Sequence, residues 1–182
     1  YAEWKNTIAV WRERLLEYDL RDGKDDGRVD PYDFIDYISS VLPEQCNIYL
    51  DTGCTVAWFM QKFKASGHQR IFHDCNNTAM GWALPASIGG TFANSDVGER
   101  LPVFCFVGDG AFMMTSYELA TVLHHKLPVK IFIMNNSGYS MIQQTQDQWL
   151  GSVYHASSRE GGISFPDYEY LAKAFNLDYY KI

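Results

Sequence analysis

Apolar positions recur along this chain in two periods. Trp4, Ile8, Trp11 and Leu15 stand at helical spacing and predict an amphipathic helix over residues 3–18. The stretch "RDGKDDGRVD" (21–30) breaks that pattern as a polar connector with two glycines. Asp30 followed by Pro31 is a helix start, with Ile35, Ile38 and Leu42 on one face. Strands and helices then alternate: "NIYLD" (47–51) reads as a strand, "TVAWFMQKF" (55–63) as a helix and "RIFHD" (70–74) as a strand. "AMGWALPASIGGTFA" (79–93) reads as a small-residue helix interrupted by Pro85, and "LPVFCFV" (101–107) as a buried strand. Thr115 and Glu118 have the spacing of a capping box ahead of Leu119, Ala120 and Leu123. "PVKIFIM" (128–134) is a further buried strand, residues 166–175 a helix, and "LDYYKI" (177–182) a last strand. This alternation predicts an α/β fold: a mainly parallel sheet flanked by helices on both faces.

Composition narrows the class of function. At 182 residues the chain is long enough for one domain with a proper core, and 47% hydrophobic residues fit a globular domain. A formal charge of −7, with no basic stripe or tail, argues against nucleic acid and against an anionic membrane surface as partners. Any phosphate ligand must therefore be held by backbone groups or a metal. No stretch predicts a membrane span or a signal peptide. Cys46, Cys54, Cys75 and Cys105 lack CxxC spacing, which predicts reduced thiols in a cytoplasmic protein. Opening on Tyr1 instead of Met fits a fragment or a processed chain.

Ligands of open parallel sheets sit beyond the carboxyl ends of the strands. Three loops follow predicted strands here: "DTGCT" (51–55), "GDG" (108–110) and "NNSGY" (135–139). The second is not a dinucleotide fingerprint, because G-x-G-x-x-G needs glycine where Met113 stands. It is not a P-loop either, since no Gly-Lys-Ser/Thr follows. Asp109 between two glycines is unfavourable for a phosphate unless a cation neutralises it. Asn136 lies just past the next predicted strand, with one helix between. If the two strands are neighbours, about 5 Å apart, a carboxylate and an amide oxygen share one Mg²⁺ whose shell a phosphate completes. The bland alternative has Asp109 capping a turn and Asn136 in a left-handed position; the spacing of the pair favours the metal. The helix after Thr115 is expected to point its amino end at the same place. His124 and His125 are expected to end that helix. For His73, near the end of the predicted strand 70–74, structural and functional roles weigh equally. His155 and Arg159 fall in a polar segment that is a candidate cover for the site.

The run "GDGAFMMTSYELATVLHHKLPVKIFIMNN", with "TAMGWALPASIGG" and "FPDYEYLAKAFNL", resembles the C-terminal, cofactor-diphosphate-binding domain of thiamine-diphosphate-dependent, acetolactate-synthase-like enzymes. The resemblance covers most of residues 30–182. It implies a division into residues 1–30, helix and connector from a preceding domain, and 31–182, the thiamine-diphosphate-binding domain. By the resemblance, Asp109, Asn136 and the carbonyl of Gly138 would ligate Mg²⁺. Gly108, Gly110, Ala111 and Tyr139 would line the diphosphate, approached from the other side by Gly53, Cys54 and Thr55. Met80 would support the bent cofactor from below and so act in catalysis, and the backbone at Thr78 and Met80 would meet the aminopyrimidine. Core packing is the bland role for Met80. The cofactor would supply the carbanion that attacks a small 2-keto acid with loss of CO₂, followed by ligation to an acceptor. The glutamate that activates it would come from the amino-terminal pyrimidine-binding domain of a partner subunit, in a homodimer or homotetramer, so this chain alone would be inactive. Thr145 stands where acetolactate-forming relatives carry tryptophan, and Ile142 where decarboxylases that release aldehyde carry glutamate. The acceptor, and whether the complete enzyme also carries FAD, stay open. The rival readings are a non-ligating 2-keto acid decarboxylase and a non-catalytic cofactor-binding module.

Overall fold

The computed structural model describes residues 1–16, 27–96, 98 and 100–182. Its frame is a four-stranded sheet built from β1 (Asn47–Leu50), β2 (Arg70–Phe72), β3 (Val103–Gly108) and β4 (Val129–Met134). The order is β2-β1-β3-β4 and every pair is parallel. Each strand is followed by helix: α3 (Cys54–Lys62) after β1, α4 (Ala83–Asp96) after β2, and α5 (Asp109–Thr115) with α6 (Leu119–His125) after β3. After β4 come α7 (Ser140–Trp149) and α8 (Tyr168–Ala174).

Period-two alternation along β3 explains the two layers of helix. Val103, Cys105 and Val107 point to one face, where they pack with Leu84 and Ile88 of α4, Phe112, Leu119 and Tyr168. Phe104 and Phe106 point to the other, against Ile48, Phe59 of α3, and Ile35 and Ile38 of α2 (Pro31–Val41). Phe106 stacks on Phe132 of the neighbouring strand at 4.6 Å between ring centres. With both faces covered, the central strands must be apolar throughout, and β1 is buried at all four positions.

α2 starts where its sequence says. Asp30 Oδ1 accepts from the backbone N–H of Tyr32 (2.8 Å) and Asp33 (3.1 Å), and Pro31 takes the first helical position. The amino-terminal segment forms α1 (Ala2–Leu16), but Trp4, Ile8 and Trp11 stay exposed, with the two indoles edge-on at 5.6 Å. Residues 17 and 18 of the expected helix, and 21–26 of the connector, lie outside the described residues.

Four expectations are corrected. Residues 79–82 form a turn and α4 begins at Ala83, so Pro85 falls in the first helical turn, where a missing N–H breaks nothing. The capping box does not form: Thr115 Oγ1 donates to Gly81 O (3.1 Å), and Glu118 Oε2 accepts from Thr121 Oγ1 (2.9 Å). The helix that faces the site is therefore α5, which begins at Asp109 itself, not a helix after Thr115. Residues 177–182 form no strand. Their alternation is β-like, but the left-handed turn at Asn176 directs the chain beside α8, where Leu177 and Tyr179 line a small cleft with Ile131, Ile133 and Tyr168. α6 ends at His125, as expected, with Lys126 left-handed at its cap. Among the described residues no helix is long and apolar enough to cross a membrane.

Candidate functional site

Strand order sets the position of the site. The chain adds β2 on one side of β1 and then β3 on the other, so the order reverses between β1 and β3. A crevice opens at such a reversal, above the carboxyl ends of the strands. Gly53, Cys54 and Thr55 follow the end of β1, and Gly108–Ala111 follow the end of its neighbour β3. β4 pairs with β3 up to Gly108 opposite Met134, so Asn136–Tyr139 stand beside Asp109.

Asp109 is almost fully buried. Its Oδ1 accepts from Gly110 N (2.6 Å); its Oδ2 accepts from Asn136 N and Gly138 N (3.2 Å each). Burial pushes its carboxyl above the usual range, and these peptide N–H groups pull the other way. Asn136 is fixed at one end of its amide by Ser140 Oγ. The other end lies 2.7 Å from Gly138 O and 3.3 Å from Asp109 Oδ2. With the NH₂ turned inward, the amide donates to both oxygens. With the oxygen turned inward, it faces two further oxygens at a spacing close to the edge of a Mg²⁺ octahedron, about 2.9 Å for bonds of about 2.0–2.1 Å. The three residues thus fit a hard cation. Among the described residues no group of three His, Cys, Asp or Glu side chains could hold a metal, so a site here has one carboxylate and neutral oxygens. The left-handed conformation falls on Ser137 (φ 59°), not on Asn136.

A Cβ on Gly110 would lie 1.9 Å from Tyr139 Cε1, so the Tyr139 ring rests where any side chain at 110 would be. Ala111 is buried in the same first turn of α5. Gly53 precedes α3 with φ 87° and ψ −150°, a conformation open essentially to glycine alone. Thr55 is buried in the first turn of α3, and burial pushes the half-buried Cys54 thiol up, which keeps it neutral. Thr78 is exposed at φ 50°, with its N–H on Asp74 O (2.9 Å). Met80 is half-buried against the α4 face of the core. His73 has a structural partner: its Nδ1 lies 3.0 Å from Leu50 O.

Sequence reasoning missed three supports. Asp51, wholly buried at the end of β1, accepts from Thr52 N and Gly81 N (3.0 Å each) and Ala83 N (2.8 Å). An acid directly after a buried strand, in "YLDTG", was the available signal. Tyr168 donates from α8 to the Asp109 carbonyl (3.3 Å), a contact with no local signature. The segment after α7 is docked: Ser157 O accepts from Tyr139 N (2.9 Å) and Gln143 Nε2 (2.6 Å), and Gln146 Nε2 reaches His155 O (2.9 Å). Arg159 lines a cleft of about 430 Å³ with Asn136, Gln143 and Tyr154, while His155 is exposed.

Fold and site together define an α/β domain whose switch point, at the carboxyl ends of a parallel sheet, gathers one carboxylate, one amide and backbone groups. Residues 51–182 match the family described as the thiamine pyrophosphate enzyme, C-terminal TPP binding domain, and the chain belongs to that family. It is 29% identical over 181 residues to the acetolactate synthase large subunit of Parasynechococcus marenigrum (strain WH8102), covering all of this chain and 28% of that protein. The large subunit from Pyropia yezoensis is 32% identical over 181 residues (98% of this chain, 28% of the relative). The isozyme 1 large subunit of Escherichia coli (strain K12) is 28% identical over 177 residues (97% and 30%). The chain spans less than a third of the length of these relatives.

Proposed function

We propose that this domain holds the diphosphate end of thiamine diphosphate through Mg²⁺, in an acetolactate-synthase-like enzyme that decarboxylates a small 2-keto acid and ligates the product to an acceptor. The observation that carries the reading is the convergence of Asp109 Oδ2, the Asn136 amide and Gly138 O. When bound, the cofactor supplies the carbanion chemistry. Asp109, Asn136 and Gly138 would hold the metal, whose charge cancels that of the carboxylate and the diphosphate. Gly110 N is engaged by Asp109, so Ala111 N is the next backbone donor of that turn available to a phosphate oxygen. Tyr139, seated on Gly110, closes the loop from the β4 side. Met80 would support the cofactor between its two ends. The pyrimidine half of the site, with its activating glutamate, would come from the amino-terminal domain of a second subunit in a homo-oligomer, and residues 1–30 would lead in from a preceding domain.

The test is calorimetric titration of thiamine diphosphate with and without Mg²⁺. Binding is expected only with the metal, and Asp109→Ala should abolish it while leaving the far-ultraviolet circular dichroism unchanged. Equal affinity in Asp109→Ala would overturn the metal assignment.

A further inference from the structure

Met80 stands in a turn, and a turn residue is only as fixed as its flanking peptides. Gly81 is held at both ends: its N–H donates to Asp51 Oδ1 (3.0 Å), and its carbonyl accepts from Thr115 Oγ1 (3.1 Å). At φ 85° a Cβ on Gly81 would lie 3.0 Å from Ala111 O, so this peptide is pressed against α5, the helix that begins with Asp109. Asp51 also binds Ala83 N, the start of α4, through Oδ2 (2.8 Å), and Thr52 N in its own loop. Its backbone N–H donates to Phe106 O on β3 (2.9 Å). One buried residue therefore joins β1 and β3 through its backbone, and the Met80 turn and α4 through its carboxylate. A carboxylate is a costly group to bury, and fixed N–H donors are what make it tolerable.

We infer that Asp51 is the positioning residue for Met80, its carboxylate holding the Gly81 peptide, with Thr115, so that the Met80 side chain keeps one place over the switch point. The inference rests on the role proposed above for Met80. The competing role is a cap for α4 that acts on Ala83 alone and leaves Met80 where it is.

Methyl NMR of the full-length protein labelled at methionine ε-methyls separates the two, with Met80 assigned by Met80→Leu. In Asp51→Ala the Met80 methyl is expected to move toward its random-coil position while Met134, on β4, stays. Thr115→Val, which removes only the hydroxyl, should shift it in the same direction by less, and stands as the test if Asp51→Ala does not fold. A Met80 signal unchanged in the folded variants overturns the inference. In turnover, Asp51→Ala should lower kcat at least tenfold at saturating thiamine diphosphate, with cofactor affinity within threefold of wild type. Asp51→Asn, which keeps one acceptor for Gly81, should recover part of the loss. Unchanged kcat in a folded Asp51→Ala also overturns it. The NMR is read without cofactor, so failure of this clamp is distinguished from failure of Mg²⁺-dependent binding by the wild type.

Discussion

Gly110 shows how a single residue can reverse a local preference. Replacing glycine by alanine inside a helix ordinarily gains up to about 1 kcal/mol. Here the added Cβ would meet the Tyr139 ring at 1.9 Å, and Tyr139 N is itself tied to Ser157 O. Displacing the ring strains Gly138 and Asn136 beside it. Gly110→Ala should therefore weaken Mg²⁺-dependent thiamine diphosphate binding at least tenfold, measured by calorimetry; unchanged affinity would show that the ring moves freely. The sequence singled out Asp109 and Asn136 because both follow strongly apolar strands, and the structure sets Asn136 N on Asp109 Oδ2. Asp51 also follows such a strand, but what it holds was hidden, because its partners Gly81 and Ala83 lie 30 and 32 positions away.

At the scale of elements, local chemistry was legible wherever it acted locally. The Asp30–Pro31 start of α2 is one case, since the donors it satisfies are two and three residues on. Asp30→Ala should lower stability by about 0.5–2 kcal/mol in urea unfolding, with little effect on cofactor binding. The Thr115–Glu118 spacing misled for the opposite reason: the Thr115 hydroxyl found a better-placed carbonyl on Gly81, 34 positions back. The "LDYYKI" segment has strand-like composition, yet the left-handed turn at Asn176 sets it beside α8, and composition does not mark that turn.

At the scale of the whole chain, Asp109, Asn136 and Gly138 meet at the carboxyl ends of β3 and β4. Among the described residues the Trp4–Trp11 stripe of α1 is uncovered. Mixed with pyruvate, thiamine diphosphate and Mg²⁺, the isolated chain should show no decarboxylation above the protein-free rate. Sustained turnover by the purified chain would mean that the activating group lies within it.

By itself the sequence determined the alternation of strand and helix, the apolar centre of the sheet and the Asp109–Asn136 pair. These depend on side-chain period, and on residues that stand at the ends of buried runs. Only the tertiary structure decided the strand order β2-β1-β3-β4, and with it the crevice. It alone showed Asp51 reaching across to the Met80 turn, Tyr139 lying on Gly110, and Ser157 holding the loop behind it. Those contacts join residues far apart in the chain, where a hydrogen bond or a ring leaves no periodic trace; they exist because the sheet brings three strand ends to one edge.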